Sequence, residues 1–431
     1  MKRRTLLKAL TGIGMAGVLP MSLTRPALGA TAYKFLITIS ATGGWDPTAL
    51  IDPKGNTPRA DGLGPINTYS ASAIKSADNL AYAPYPSMIE EPAIESAGHF
   101  DTFFNKHADR LLVINGIDTQ TNGHDSGRRF VWSGKLEEGY PTIAALAALA
   151  AAPFADQPMA FISNGGYDFT ASIVAPVRTA SPGTFNQLAF PNSMFPTDPD
   201  LLHLGLVGQS SYSLVQQARE ERLVRQRMTE TLPKRQKQME QLQTVKNSEV
   251  ELQSLLDFLP DEVSSGLAGQ AEVAIAAFAS GLAVSANLNA GGFDTHGDHD
   301  QDHTPSLTAL LEGIDHLWEQ IELRGMQDKV TVVIGSDFGR TPFYNEGDGK
   351  DHWNITSIMA MGAGITGSRV VGATNENFEA LKLNASTLQP DDNGIIITPQ
   401  HVHRSLRDFL GVQDDLDNLF PIGVDKLDLF S

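Results

Sequence analysis

Asp337, Arg340, Asp351 and His352 bring two acids, a guanidinium and an imidazole into one stretch, 330–353 (VTVVIGSDFGRTPFYNEGDGKDHW). Such a set can hold a divalent cation with an anionic group beside it. A second concentration is Asp294 to His303 (DTHGDHDQDH), too polar for a core and dense in imidazole. Its candidate ligands are Asp294, His296 and His299, joined from elsewhere by Asp46, Asp337 and His352. Mixed carboxylate and imidazole ligands suit a divalent metal such as Zn, Mn or Fe, or with more oxygen Mg or Ca. A third stretch, His124-Asp125-Ser126-Gly127-Arg128-Arg129, offers a hydroxyl that a metal can ionise, with an arginine to hold the oxygens of a phosphoryl or sulfuryl group. Ser126 fits a helix N-cap equally well, as each turn acid fits a cap or a solvated loop. Spacing alone does not choose between these roles.

The elements that must position these residues are legible in part. Residues 331–334 are an unbroken β-branched run, as in a strand covered on both faces of a parallel sheet. It delivers Asp337 just past its carboxyl end, where open α/β sheets place their ligands. Strands predicted at 33–40 and 284–288 lead in the same way to Asp46 and Asp294. A parallel sheet brings three such loops to one rim. Further strands are expected at 110–115, 159–162, 358–361 and 369–371. Helices are expected at 100–108, 141–152, 272–284, 307–323 and 398–410, the last with a Thr398-Pro399 start and the second with Pro141 at its first position. This alternation predicts an α/β fold with a mostly parallel central sheet and helices on both faces. Between about 205 and 265 Gln, Glu, Arg and Lys dominate, and Leu223, Leu242, Val245, Leu252 and Leu256 recur at roughly helical spacing. Pro233 divides that stretch, so it reads as a helical insertion, a hairpin or cap; its heptads are too irregular for a regular coiled coil.

At 431 residues the chain suits one large α/β domain carrying an insertion. A net charge of −18 argues against nucleic acid as a partner. The absence of cysteine excludes disulfides, thiolate zinc sites and cysteine nucleophiles. Lys2-Arg3-Arg4-Thr5-Leu6-Leu7-Lys8 is a twin-arginine pattern, and the apolar stretch after it contains Gly12, Gly14, Gly17 and Pro20. That stretch falls short of the roughly 20 apolar residues a stable membrane span needs. Ala27-Leu28-Gly29 supplies small residues ahead of Ala30. Residues 1–30 are therefore expected to be a signal peptide for the bacterial twin-arginine (Tat) export machinery, leaving 31–431 as a periplasmic or secreted domain. Asp337-Phe338-Gly339 spells a kinase metal motif, but no kinase catalytic loop accompanies it, and there is no G-x-S-x-G elbow or Walker lysine.

The GGFDTHGD and SDFGRTP…GKDHW runs, with the twin-arginine start, resemble the exported family called domain of unknown function 1501. More distantly, the order of elements is similar to the alkaline phosphatase and sulfatase superfamily. Asp125-Ser126, with Trp132 to Lys135 and Tyr140 to Ile143, resembles the segment around the alkaline phosphatase nucleophile, and Phe293-Asp294, Asp337 and His352 resemble its metal-ligand segments. That resemblance implies a metal-dependent hydrolase of a small anionic ester, phosphate or sulfate. Asp294, His296 and His352 would hold the metal, Asp337 and Asp46 would complete or bridge it, Ser126 would attack, and Arg129 or Arg340 would neutralise the transferring group. The chain departs from the pattern in three ways. Phe338 stands where a second-metal histidine is usual. The histidines after Asp294 fall at 296 and 299. Thr42-Gly43-Gly44 replaces an expected acid. The sulfatase Cys/Ser-Pro-Arg signature is absent, so formylglycine chemistry is not expected. A rival reading follows from these departures: an inactive hydrolase fold kept as a cell-envelope scaffold, with a protein partner on 211–259.

Overall fold

The computed structural model describes residues 34–430 apart from 60, 90–95, 152–158, 179–181, 234, 237–238, 241–242, 244–248 and 413. The expected signal peptide at 1–30 lies outside the described residues. In chain order the strands are β1 (Phe35–Ala41), the short pair β2 (Lys75–Ala77) and β3 (Leu80–Tyr82), β4 (Leu111–Asp118), β5 (Phe161–Ser163), β6 (Pro176–Arg178) and β7 (Ser285–Ala290). They continue with β8 (Val330–Ser336), the two-residue β9 (Gly339–Arg340) and β10 (His352–Trp353), β11 (Ile355–Gly362) and β12 (Arg369–Val371). Eight of them form the central sheet in the order β12-β4-β11-β8-β1-β7-β5-β6, and only β11 runs against the rest.

The register positions the site. Ala41, the last residue of β1, pairs with Ala290 of β7 on one side and with Ser336 of β8 on the other. Three adjacent parallel strands therefore end level, and the loops carrying Asp46, Asp294 and Asp337 leave from the same rim. Along β8 the side chains alternate: Val332 and Ile334 join the core on one face, and Val333 joins the other. Helices Gly266–Ala279 and His299–Leu323 cover the first face through residues such as Phe278, Ile314 and Leu317. Trp132, Leu146, Val402 and Leu406, from helices His124–Ser133, Ile143–Ala150 and Pro399–Phe409, cover the second. This is the expected α/β architecture, helices on both faces included.

Two expectations need correction. The alanine-rich helix starts at Ile143 with Thr142 as N-cap, so Pro141 precedes it. The helix expected at 307–323 begins at His299 and continues through Pro305. It does so because His299 and His303, one turn apart, face inward and are about 1% exposed. Three residues of the run judged too polar for a core, Thr295, His299 and His303, are thus buried. In the insertion, helix Gln209–Thr229 buries none of its residues, whereas Glu249–Phe258 anchors through Leu252 and Leu255. Among the described residues no helix is long and apolar enough to cross a membrane.

Gly134 ends the His124–Ser133 helix at φ 74°, and a Cβ there would lie 2.7 Å from the Cβ of His403. Both the left-handed backbone and the contact oppose a side chain. Gly134→Ala is expected to cost about 2 kcal/mol or more, read as a melting temperature lowered by a few degrees or more. An unchanged melting temperature would show that the helix end shifts freely.

Candidate metal centre

His124, Asp294 and His352 each present one ligand atom, and these atoms lie within 4.8 Å of one another. His124 opens the His124–Ser133 helix, Asp294 follows β7, and His352 begins β10, which pairs with β9 to return the glycine-rich loop to the rim. His296 adds a fourth donor, with Nε2 3.1 Å from Asp294 Oδ1 and 3.0 Å from His352 Nε2.

The hydrogen bonds set the state of these imidazoles. His352 Nδ1 is 2.7 Å from the carbonyl of Asn122, which can only accept, so that nitrogen carries the proton. His296 Nδ1 donates to the Asp351 carboxylate at 2.7 Å, and His124 Nδ1 donates to Asp337 at 2.8 Å. The three Nε2 atoms are then left as lone pairs. They converge on one carboxylate, Asp294, at 3.4 Å from His124, 3.2 Å from His352 and 3.1 Å from His296. Acceptors this close repel one another unless a cation stands among them. Three imidazoles and a carboxylate, each imidazole oriented by an outer acceptor, form a donor set that fits Zn, Mn or Fe better than Mg or Ca.

Electrostatics keep Asp294 ready to ligate. Burial alone would raise its pKa, but the hydrogen bond and charge of Arg340 outweigh it and hold the carboxyl at about 2. Asp351 is likewise held below its ordinary value, chiefly by the His296 hydrogen bond. Asp337 is fully buried, and burial pushes its pKa up against the opposing His124 bond and the nearby Arg128 charge. Its Oδ2 takes the bonds from His124 and from the Gly43 amide, while Oδ1 has no partner.

The structure does not bring Asp46 and His299 to this centre. They belong to a buried ring of hydrogen bonds whose directions follow from one fixed donor. The Asp46 amide donates to His303 Nε2 at 2.9 Å, so His303 donates from Nδ1 to Thr295 Oγ1 at 3.0 Å. The Thr295 hydroxyl then donates to His299 Nδ1 at 2.7 Å, and His299 Nε2 donates to Asp46 Oδ2 at 3.2 Å. Both imidazoles are neutral in this scheme, and burial accordingly lowers both pKa values. Asp46, which burial alone would raise, is held well below the usual carboxylate range by Lys350 and His299. The pairing at its Oδ2 includes Lys350 Nζ at 2.6 Å, and Thr48 occupies Oδ1.

Of the expected arginines, Arg340 is wholly buried and fully committed. It donates to the carbonyls of Gly43, Gly44 and Lys350 and to Asp294, the last at 2.7 Å. Arg129 turns to the Leu136 carbonyl and Glu138. The guanidinium beside the centre is that of Arg128, one turn after His124, with Nε 3.9 Å from Asp337. Ser126 lies within the first turn of the helix rather than capping it, Gly123 being the N-cap, and its hydroxyl contacts Thr121 Oγ1 at 2.6 Å and the Gly123 carbonyl at 3.0 Å. Phe338 is buried against two of the imidazoles, its ring centre 4.9 Å from that of His124 and 4.4 Å from that of His352.

His124 is the centre's member that sequence reasoning passed over. Its signal was present, an imidazole at a loop-to-helix junction, but attention went to Ser126 two residues on. His303 lay in the imidazole-dense run without being singled out, and Lys350 carried no signal, since nothing local separates it from solvated loop residues.

The chain matches the family described as "Protein of unknown function (DUF1501)" over residues 33–389. No curated protein matches it. Among solved structures it is similar to Ps i-CgsB, with 8% identity, 92% of this chain and 75% of the other covered, and a TM-score of 0.42. It is similar to the PsFucS1 sulfatase from Pseudoalteromonas sp. at 11% identity, covering 93% and 72%, TM-score 0.38. The phosphonate monoester hydrolase of Agrobacterium radiobacter matches at 12% identity, covering 88% and 74%, TM-score 0.33.

Proposed function

We propose, from the premise that this chain belongs to the DUF1501 family, that it is an exported, metal-dependent hydrolase of small phosphate or sulfate esters. The observation that carries the reading is the convergence of three Nε2 lone pairs on the Asp294 carboxylate at the rim of the sheet. His124, Asp294, His296 and His352 would hold the metal, which when bound supplies Lewis acidity toward an ester oxygen and acidifies water. Asp337, Asp351 and the Asn122 carbonyl keep each imidazole in its ligating tautomer. Arg340 keeps Asp294 ionised and aimed. Arg128 is the cation placed to receive the charge of an anionic ester, in the role first expected of Arg129 or Arg340. Export by the twin-arginine route to the periplasm or beyond is part of the proposal and rests on the residues Lys2 to Lys8.

The nucleophile in this reading is water rather than Ser126, whose hydroxyl is engaged by Thr121 and Gly123. Ser126→Ala is expected to keep turnover of aryl phosphate or sulfate esters within about tenfold of wild type, whereas a lost nucleophile costs several orders of magnitude. A loss of that larger size would return Ser126 to the mechanism. The class itself is tested by assaying metal-loaded and chelated protein on both ester types. Turnover that appears only with metal is expected. A protein that binds metal and turns over neither ester would bring forward the envelope-scaffold reading, with a partner on 211–259.

A further inference from the structure

Helix Gln209–Thr229 is 21 residues long and buries none of them. Its half-buried residues, Tyr212, Gln216 and Leu223, nevertheless share one face, because about 3.6 residues per turn sets them almost in line. Arg227, beside that face, reaches Glu240 and Gln243, so this is the side turned toward the rest of the insertion. The opposite side is open. It carries Leu214, Ala218, Glu221, Arg225 and Met228, and the same spacing continues to Leu232, just past the helix end. Leu214 is 67% exposed, Met228 82% and Leu232 52%. The steps along this row alternate between four residues and three, the seam spacing of paired helices. Over this helix the spacing is regular, although over the whole insertion it is not.

We propose that this face binds a second copy of itself, antiparallel, about a two-fold axis level with Leu223. Under that operation Leu214 meets the partner's Leu232, Ala218 meets the partner's Met228, and Glu221 meets the partner's Arg225. Each contact recurs on the other side of the axis, as in any isologous interface. Apolar layers at both ends thus flank two reciprocal ion pairs at the centre. The seam complements itself in size as well as in charge, since the long Met228 faces the small Ala218. In the single chain Glu221 and Arg225 are 3.7 Å apart across one turn, with side chains 56% and 68% exposed, so the body of the protein holds neither. A parallel copy in register would set Glu221 against Glu221 and Arg225 against Arg225, which like charges oppose. The charge pattern selects the antiparallel copy.

The test is analytical ultracentrifugation of the purified protein and its variants at about 1–100 μM, the range suited to an interface smaller than the roughly 1,200 Å² of a tight complex. Wild type is expected to pass from monomer to dimer across that range. Glu221→Arg or Arg225→Glu sets like charges against each other twice per dimer, and each variant alone should weaken the dimer about thirtyfold or more. Both positions are exposed, so neither change threatens the fold. An equimolar mixture of the two variants should dimerise again, because the arginines of one then face the glutamates of the other. The double variant Glu221→Arg/Arg225→Glu should do so by itself. Wild type that stays monomeric up to about 100 μM would overturn the proposal and leave the face to a protein of another kind. A dimer that neither single variant weakens, or single variants that stay apart when mixed, would overturn it equally.

Discussion

Replacing Asp294 and His352 together by alanine is expected to abolish metal binding at the proposed centre. Elemental mass spectrometry on untagged wild type is expected to find about one equivalent of Zn, Mn or Fe, and less than about a tenth of that in the double variant. The size of the effect follows from the donor set. Disturbing one outer partner of a ligating histidine already costs about 10–100-fold in affinity, and here two of four ligands are removed outright. The same framework predicts that Asp337→Asn, which leaves His124 in place but alters the acceptor at its Nδ1, weakens binding by about 10–100-fold. Thermal unfolding gives an independent reading. Metal at a hundred times its dissociation constant stabilises the native state by about 2.7 kcal/mol, so wild type should melt higher with metal and the double variant should not respond. Wild type that contains no metal and takes up none on titration would sink the hydrolase mechanism.

The second large effect is expected at Arg340. Its guanidinium binds three backbone carbonyls and Asp294 from a position with no solvent exposure. Arg340→Met leaves those carbonyls and a partly buried carboxylate without their donors. Each buried carbonyl left without its donor costs about 1–3 kcal/mol, and the pair with Asp294, whose side chain is 50% exposed, adds little to that. Arg340→Lys should fare little better, because a single ammonium cannot span the four acceptors that the planar fork reaches. Denaturant unfolding of both variants is the measurement. If Arg340 instead received the substrate's anion, Arg340→Lys would fold with wild-type stability and show its defect only as a raised KM. Stability and KM therefore separate a clamp from a substrate contact.

The stretch Thr331 to Ile334 announces its strand because β-branched residues without polar interruption suit a position covered on both faces. Asp337 and Asp294 announce themselves because acids just past strand ends sit where open sheets bind ligands. Those two signals are local, and so is the pattern that separates the helical insertion from the body. The helical start at His299 was illegible because the polarity of His299 and His303 suggests solvent. Their burial depends on Asp46 and Thr295, which satisfy both imidazoles.

By itself the sequence determined the fold class, the three acid-bearing loops, and a ligand chemistry of imidazole and carboxylate without thiolate. Those properties follow from residue type and short-range period. Tertiary structure alone decided that β1 lies between β7 and β8 in level register, which sets the three loops side by side. It also sorted the candidates: His124, Asp294, His296 and His352 keep lone pairs facing one point, while Asp46, His299 and Arg340 spend theirs, or their protons, on the protein. The physical reason is that a side chain's chemistry depends on which of its donors and acceptors remain unpaired after packing, and its partners come from segments up to three hundred residues away. No local pattern records that.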